Sequence, residues 1–252
     1  MMINKIYNED CITYMKTLPD NSLNLIIADP PYFRIVKDNW DNQWKSIDEY
    51  LAWSKLWIIE CNRILKDTGS FYMWGGIGKN KEHPIFKLIE ICEDAEFIFQ
   101  DWITWKKQKG LGSRKGYMFI REELLYYTKS QKDFTINTPY LDEIAKNHGR
   151  LDKTKINYKR CGNVWVDINE VTVGNLIHTE RVNHPTQKPL KACDRIIKTS
   201  SNENDLVYIP FAGSGSEIES CINNNRNWIA TETNEQYIDD LILPRVSNCI
   251  TK

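Results

Sequence analysis

Residues 23–28 (Leu-Asn-Leu-Ile-Ile-Ala) are apolar at five of six positions and run straight into Asp29-Pro30-Pro31-Tyr32. A short apolar run with a turn cluster ahead of it (Pro19-Asp20-Asn21-Ser22) reads as a strand buried on both faces of a parallel sheet. Neither proline can donate a ladder hydrogen bond, so the backbone must leave the sheet at Asp29. Open α/β sheets bind ligands at the carboxyl ends of their strands, which makes this exit a candidate site.

The rest of the chain alternates in the same manner. Strands are expected over 4–7, 70–74, 97–105, 124–128, 206–209 and 228–231. Helices are expected over 10–18, 46–65, 84–92, 187–200, 215–224 and 234–243. Ser46 is the expected N-cap of the second helix, which ends ahead of Asp67-Thr68-Gly69. Strand–helix alternation predicts the α/β class, with a largely parallel sheet covered by helices on both faces. Residues 130–183 are polar, basic and weakly periodic, and read as an irregular insert.

At 252 residues the chain is long enough for one well-buried domain. No apolar run reaches the roughly 18 residues of a membrane span, and the start lacks a basic and then apolar leader, so the expectation is a cytoplasmic protein with no membrane partner. The seven cysteines contain no CxxC pair and lie at least 28 positions apart, which argues for reduced thiols and for no structural metal.

Charge is unevenly placed. From Trp105 to Arg160 there are 14 Lys/Arg against 6 Asp/Glu, while the remainder carries 19 against 28. Phosphate binding responds to local charge, so this basic segment suits a nucleic acid. A solvated surface without a partner gives the same pattern.

A second strand end carries Pro210-Phe211-Ala212-Gly213-Ser214-Gly215-Ser216. A glycine-rich turn opening a helix lets backbone N–H groups approach a ligand closely. It lacks the lysine of a phosphate-binding loop and the full GxGxxG of a dinucleotide site. Alone, each segment has a bland reading: a tight β–α turn here, and at Asp29 a rigid turn with a capping Asp and a packed Tyr.

Together with His184-Pro185-Thr186-Gln187-Lys188-Pro189, and in this order, the two segments resemble the β-class amino-methyltransferases of DNA, over residues 10–237 and most weakly over 130–180. The resemblance implies a Rossmann-like, S-adenosylmethionine-dependent methyltransferase sheet with circularly permuted motif order. It implies a catalytic half over 1–129, a target-recognition insert over 130–183 and a cofactor-binding half over 184–252. The implied cofactor is S-adenosyl-L-methionine and the implied partner is double-stranded DNA. A homodimer is suggested, and no metal is required.

By the resemblance, Asp29 and the Pro30 carbonyl accept the two N–H bonds of an exocyclic amine. They thereby aim its lone pair at the methyl group, with Pro31 fixing the turn and Tyr32 stacking on a flipped base. Phe211, Gly213, Ser214, Gly215 and Ser216 cradle the amino-acid part of the cofactor, Thr186 and Lys188 take its carboxylate, and Glu232 takes the ribose hydroxyls. Asp10, with Cys11, receives the cofactor's adenine amino group. An Asp at that place is equally a helix N-cap. His184 reads as structural. Trp105-Lys106-Lys107 and 121–129 resemble the block that closes the catalytic half. Arg114, Lys115 and Tyr117, flanked by Gly110, Gly112 and Gly116, suit a DNA-approaching loop. Residues 33–44 suit a flap over the base, with Trp40 and Trp44 stacking there or packing in the core.

One departure stands out: Ile209 precedes Pro210, where the family usually has Asp, so an acidic contact near the methionine end is missing. Ser216 stands where Thr is common. Asp rather than Ser at position 29 favours adenine N6 over cytosine N4 as the target. The alternatives are a cytosine-N4 enzyme and a cofactor-impaired homologue that only binds DNA.

Overall fold

The computed structural model describes residues 2–34, 41–77, 82–111, 115–145, 157–171 and 180–251. The chain runs β1 (Lys5–Asn8), α1 (Cys11–Met15), β2 (Leu23–Ala28), α2 (Ile47–Ile64), β3 (Leu65–Gly75), α3 (Pro84–Asp94), β4 (Ile98–Leu111) and β5 (Phe119–Thr128). It continues through β6 (Tyr140–Ile144), β7 (Tyr158–Arg160), β8 (Val164–Trp165), α4 (Leu190–Ser200), β9 (Leu206–Ile209), α5 (Ser216–Asn223) and β10 (Asn227–Glu232). The last elements are α6 (Glu235–Tyr237), a π-helical turn (Ile238–Ile242) and α7 (Leu243–Ile250).

The main sheet has the order β1-β10-β9-β2-β3-β5-β4-β8. The pairs from β1 to β3 are parallel, and β5 is antiparallel to both β3 and β4. The late strands β9 and β10 lie between the early strands β1 and β2, so the permuted order read from the motifs is built into the sheet.

One apolar layer joins α1, α2 and α3 to the sheet through Met15, Trp57, Ile58, Cys61 and Leu88. The other joins α4, α5 and the π-helical turn through Ile196, Ile197, Ile218, Cys221 and Ile242. The chain therefore leaves β2 toward one face and β9 toward the other. These strands are neighbours, with Leu25 opposite Val207 and Ile26 opposite Tyr208. Two loops diverging from adjacent parallel strands open a crevice, the switch point at which such sheets bind ligands.

Two expectations are corrected. The insert is not wholly irregular: β6 pairs with β7, and β8 extends the main sheet beside β4. Trp165 causes the second pairing, because its ring is buried 6.5 Å from Trp74 and lies under the Arg195 guanidinium. The last helix also continues past residue 243 to Ile250. Pro244 lacks the N–H that an unbroken α-ladder needs, but the π-helical turn ahead of it resets the ladder and places Pro in the first turn of a new helix, where that N–H is dispensable.

Candidate functional site

The loops after β2 and β9 meet at a cavity of about 250 Å³. Asp10, Cys11, Asp29, Pro30, Pro31, Tyr32, Thr186, Lys188, Phe211, Gly213, Ser214 and Glu232 all line it, so most of the residues singled out in the sequence are brought together. Gly215 and Ser216 do not line it. Gly215 supplies the left-handed residue before α5, with φ +75, and the buried Ser216 hydroxyl lies 3.1 Å from that of Ser214.

At one end of the cavity Lys188 holds two carboxylates together. Its Nζ lies 2.7 Å from Asp29 Oδ2 and 2.8 Å from Glu122 Oε1, and 3.4 Å from the Tyr32 hydroxyl. The three ammonium protons thus face three oxygens. Nζ also sits 5.1 Å from the centre of the Trp74 ring. The Tyr32 hydroxyl lies 2.8 Å from Asp29 Oδ1 and 2.9 Å from Glu122 Oε1, and its single proton is donated to one of them at a time. Lys107 forms an ion pair with Glu122 from the other side.

The side chain of Lys188 is only 4% exposed, whereas that of Asp29 is 20% exposed, so a substrate reaching this end meets the carboxylate and not the ammonium. Burial pushes the Asp29 carboxyl above its ordinary range, against the pull of Lys188. Burial also acts to raise Glu122, but Lys188 and then Lys107 outweigh it and hold that carboxyl down at about 2. Burial depresses Lys188 in turn, yet Asp29 and Glu122 leave its pKa above the usual lysine value. The cluster is therefore two carboxylates sharing one buried cation.

At the other end the end of β10 faces the end of β1, with Asn8 opposite Glu232. Glu232 Oε2 accepts from Gly213 N at 2.9 Å and Oε1 from Asn234 N at 2.9 Å, which ties the glycine turn to the strand end. Asp10 lines the cavity and also caps α1, with Oδ1 accepting from Thr13 N at 3.0 Å, so both readings of this residue have a geometric basis.

His184 packs at 5.0 Å on Tyr237, and its Nδ1 accepts from Thr186 N at 3.3 Å. Burial, then Lys188 and Arg245, lower it to about 4, so it is neutral near pH 7, as a packing residue should be. A Cβ on Gly213, whose φ is +48, would stand 3.1 Å from His184 Nε2. Gly213→Ala is expected to cost about 1–2 kcal/mol in chemical denaturation, from left-handed backbone strain alone.

Sequence reasoning passed over Glu122 and Glu217 as site residues. Trp44 is buried 4.9 Å from Tyr50 and 4.8 Å from Trp53, so it packs in the core. Trp40, Arg114 and Gly112 lie outside the described residues. Tyr117 is fully exposed. Ile209 is buried in the apolar layer with Val207, Ala212 and Ile218.

A permuted α/β sheet whose switch-point crevice joins an Asp-Pro-Pro-Tyr exit to a glycine-rich turn defines a ligand-binding α/β domain. Residues 23–243 match the DNA methylase family, and the chain belongs to that family. It is 33% identical over 94% of its length to the Type II methyltransferase M1.MboII of Moraxella bovis, of which 94% is covered. It is equally 33% identical over 94% of its length to M.HpaI of Haemophilus parainfluenzae, covering 73% of that protein. It is 33% identical over 92% of its length to the DNA adenine methyltransferase YhdJ of Escherichia coli, covering 79%. Among solved structures, the M1.HpyAVI–SAM complex superposes with a TM-score of 0.65 at 22% identity, covering 96% of this chain and 98% of that one. The cytosine-N4-specific PvuII DNA methyltransferase superposes at 0.68 and 18% identity, covering 98% and 91%.

Proposed function

We propose that this chain transfers a methyl group from S-adenosyl-L-methionine to the N6 amino group of adenine in double-stranded DNA, acting on a flipped base. The observation that carries this is the partly exposed Asp29 carboxylate, fixed by Lys188 in the same cavity as the glycine turn. An exocyclic amine is a poor nucleophile because its lone pair is delocalised into the ring. Asp29 accepts one of its N–H bonds, the Pro30 carbonyl accepts the other, and nitrogen is thereby turned toward the methyl donor. Tyr32, held by its hydroxyl to Asp29 and Glu122, offers its ring to the base. The base must leave the duplex to reach this depth.

The cavity fits the cofactor. Glu232 lines the cavity from the end of β10 and in this reading accepts from the ribose hydroxyls, and Gly213 lets the turn pass close to His184, where a Cβ would crowd the ring. S-adenosyl-L-methionine supplies an electrophilic methyl group on a good leaving group. Lys188, expected from the resemblance to take the cofactor's carboxylate, is held on Asp29 and Glu122, so its main role in this reading is to orient Asp29.

Residues 130–183 form the target-recognition part of the same proposal. The β6–β7 pair exposes Tyr140, Ile144 and Tyr158 beside the basic Lys159 and Arg160, a surface suited to phosphate and base contacts. The flanking segments 1–129 and 184–252 supply catalysis and cofactor binding. A homodimer would cover Leu56 and Ile59 of α2 and Phe86 of α3, which are exposed. Buried thiols at Cys11, Cys61, Cys92, Cys193 and Cys221 suit a reducing cytoplasm.

The test is transfer from labelled S-adenosyl-L-methionine to unmethylated DNA, followed by digestion to nucleosides and mass spectrometry. N6-methyladenine is the expected product. N4-methylcytosine would overturn the choice of base, and DNA binding without any product would favour the cofactor-impaired alternative.

A further inference from the structure

Glu217 is a buried acid that the mechanism above leaves without a task. It sits in the first turn of α5, is 4% exposed and lines the cavity. Among the described residues its Oε1 has no hydrogen-bond partner. A carboxylate that only favours a helix N-terminus would sit in solvent at that end, whereas this one is enclosed with an oxygen left over. Lys188 attracts this carboxyl through space but spends its close contacts on Asp29 and Glu122, so it gives the left-over oxygen no donor. Burial, and then the Asp29 carboxylate, push the Glu217 carboxyl up to about 7. A ligand carrying a cationic N–H donor would remove both penalties at once.

We propose that Glu217 accepts a hydrogen bond from the α-ammonium group of the methyl donor, supplying from the first turn of α5 the acidic contact that Ile209 cannot make. The inference rests on the S-adenosyl-L-methionine reading above. Chemistry and position select the ammonium over the rest of that molecule. A sulfonium has no N–H to offer an orphan oxygen. In that reading the adenine amino group goes to Asp10 and the ribose hydroxyls to Glu232, at the opposite end of the cavity. Glu217 lies two residues beyond Gly215, next to the turn that cradles the amino-acid part. Ile209 is buried in an apolar layer with Ile218, so the acid has in effect moved from the strand end to the helix that follows it.

The experiment compares S-adenosylhomocysteine with its analogue lacking the α-amino group, by calorimetric titration of wild type and Glu217→Gln. Thermal melts establish that the variant folds, and Glu217→Asp provides a second variant that keeps the charge. Wild type should bind the parent about 10–100-fold more tightly than the deaminated analogue, the range expected for one charge-assisted hydrogen bond. Glu217→Gln should lose most of that discrimination while binding the analogue as wild type does, and Glu217→Asp should retain part of it. Equal weakening of both ligands, or unchanged affinity for the parent, overturns the assignment while leaving the cofactor reading intact. No binding of either ligand by wild type overturns both.

Discussion

Asp29→Asn is expected to lower kcat for methyl transfer by about 100–1,000-fold, the loss typical of removing one preorganised electrostatic contact to a transition state. The thermal midpoint should not fall with it. Burial raises the Asp29 carboxyl, so the folded state disfavours its ionised form. An acid raised in this way subtracts stability at every pH above its unfolded value, and the neutral amide escapes that penalty. Lys188 keeps Glu122 as a partner at 2.8 Å in the variant. A rate loss without a stability loss separates a catalytic carboxylate from a structural one, because a structural cap would lose both. Single-turnover transfer and thermal unfolding on the same preparation decide the point. The raised carboxyl also places the acid limb of the wild-type rate profile above the ordinary aspartate range. That limb should vanish from the residual activity of Asp29→Asn. Unchanged kcat would remove Asp29 from the chemistry.

The parts of this site that were legible in the sequence are those whose chemistry is local. Residues 23–28 and 206–209 were read with their observed bounds, because an apolar strand closed by prolines or a glycine turn has to end there. The two loops meet because β2 and β9 are neighbours, which the permuted motif order implied through the family resemblance and which periodicity alone did not. Glu122 was missed because the partners that bring it to the site are 90 and 66 positions away, at Tyr32 and Lys188. A signal was present: Glu122 and Glu123 directly precede Leu124-Leu125-Tyr126-Tyr127, a run buried on both faces. Two acids entering such a strand need partners, and each found its own. Glu123 takes the Trp102 indole at 2.5 Å and the Thr104 hydroxyl at 2.9 Å on one face, while Glu122 takes Lys188 and Lys107 on the other. β8 was illegible for a different reason. Two residues carry no periodicity, and the pairing depends on where Trp165 finds cover.

Lys188→Met should be strongly destabilising. It preserves the length and much of the volume of the side chain, so packing is largely kept and the effect is electrostatic. Among the described residues Lys107 is then the one cation left to offset Asp29 and Glu122 in an enclosed site, and breaking a buried pair by removing one partner costs about 3–5 kcal/mol. For a chain of this size each kcal/mol shifts the midpoint by roughly 2–4 °C, so a fall of roughly 6–20 °C is expected near pH 7. The pH dependence gives the cause. In wild type the Glu122 carboxyl is held down at about 2, so its stabilising contribution is present above the ordinary glutamate value of 4.5 and is lost as pH falls toward 2. In the variant both carboxyls rise and take up protons at higher pH, which relieves their repulsion. The gap between the two proteins should therefore narrow as the pH is lowered through that window. Adding Glu122→Gln to Lys188→Met should recover part of the lost stability, since the repulsion between the two enclosed carboxylates is gone. It should not recover activity, because Asp29 still lacks the ammonium that orients it. A midpoint unchanged by Lys188→Met, or a gap that widens in acid, would show that the carboxylates do not depend on this cation.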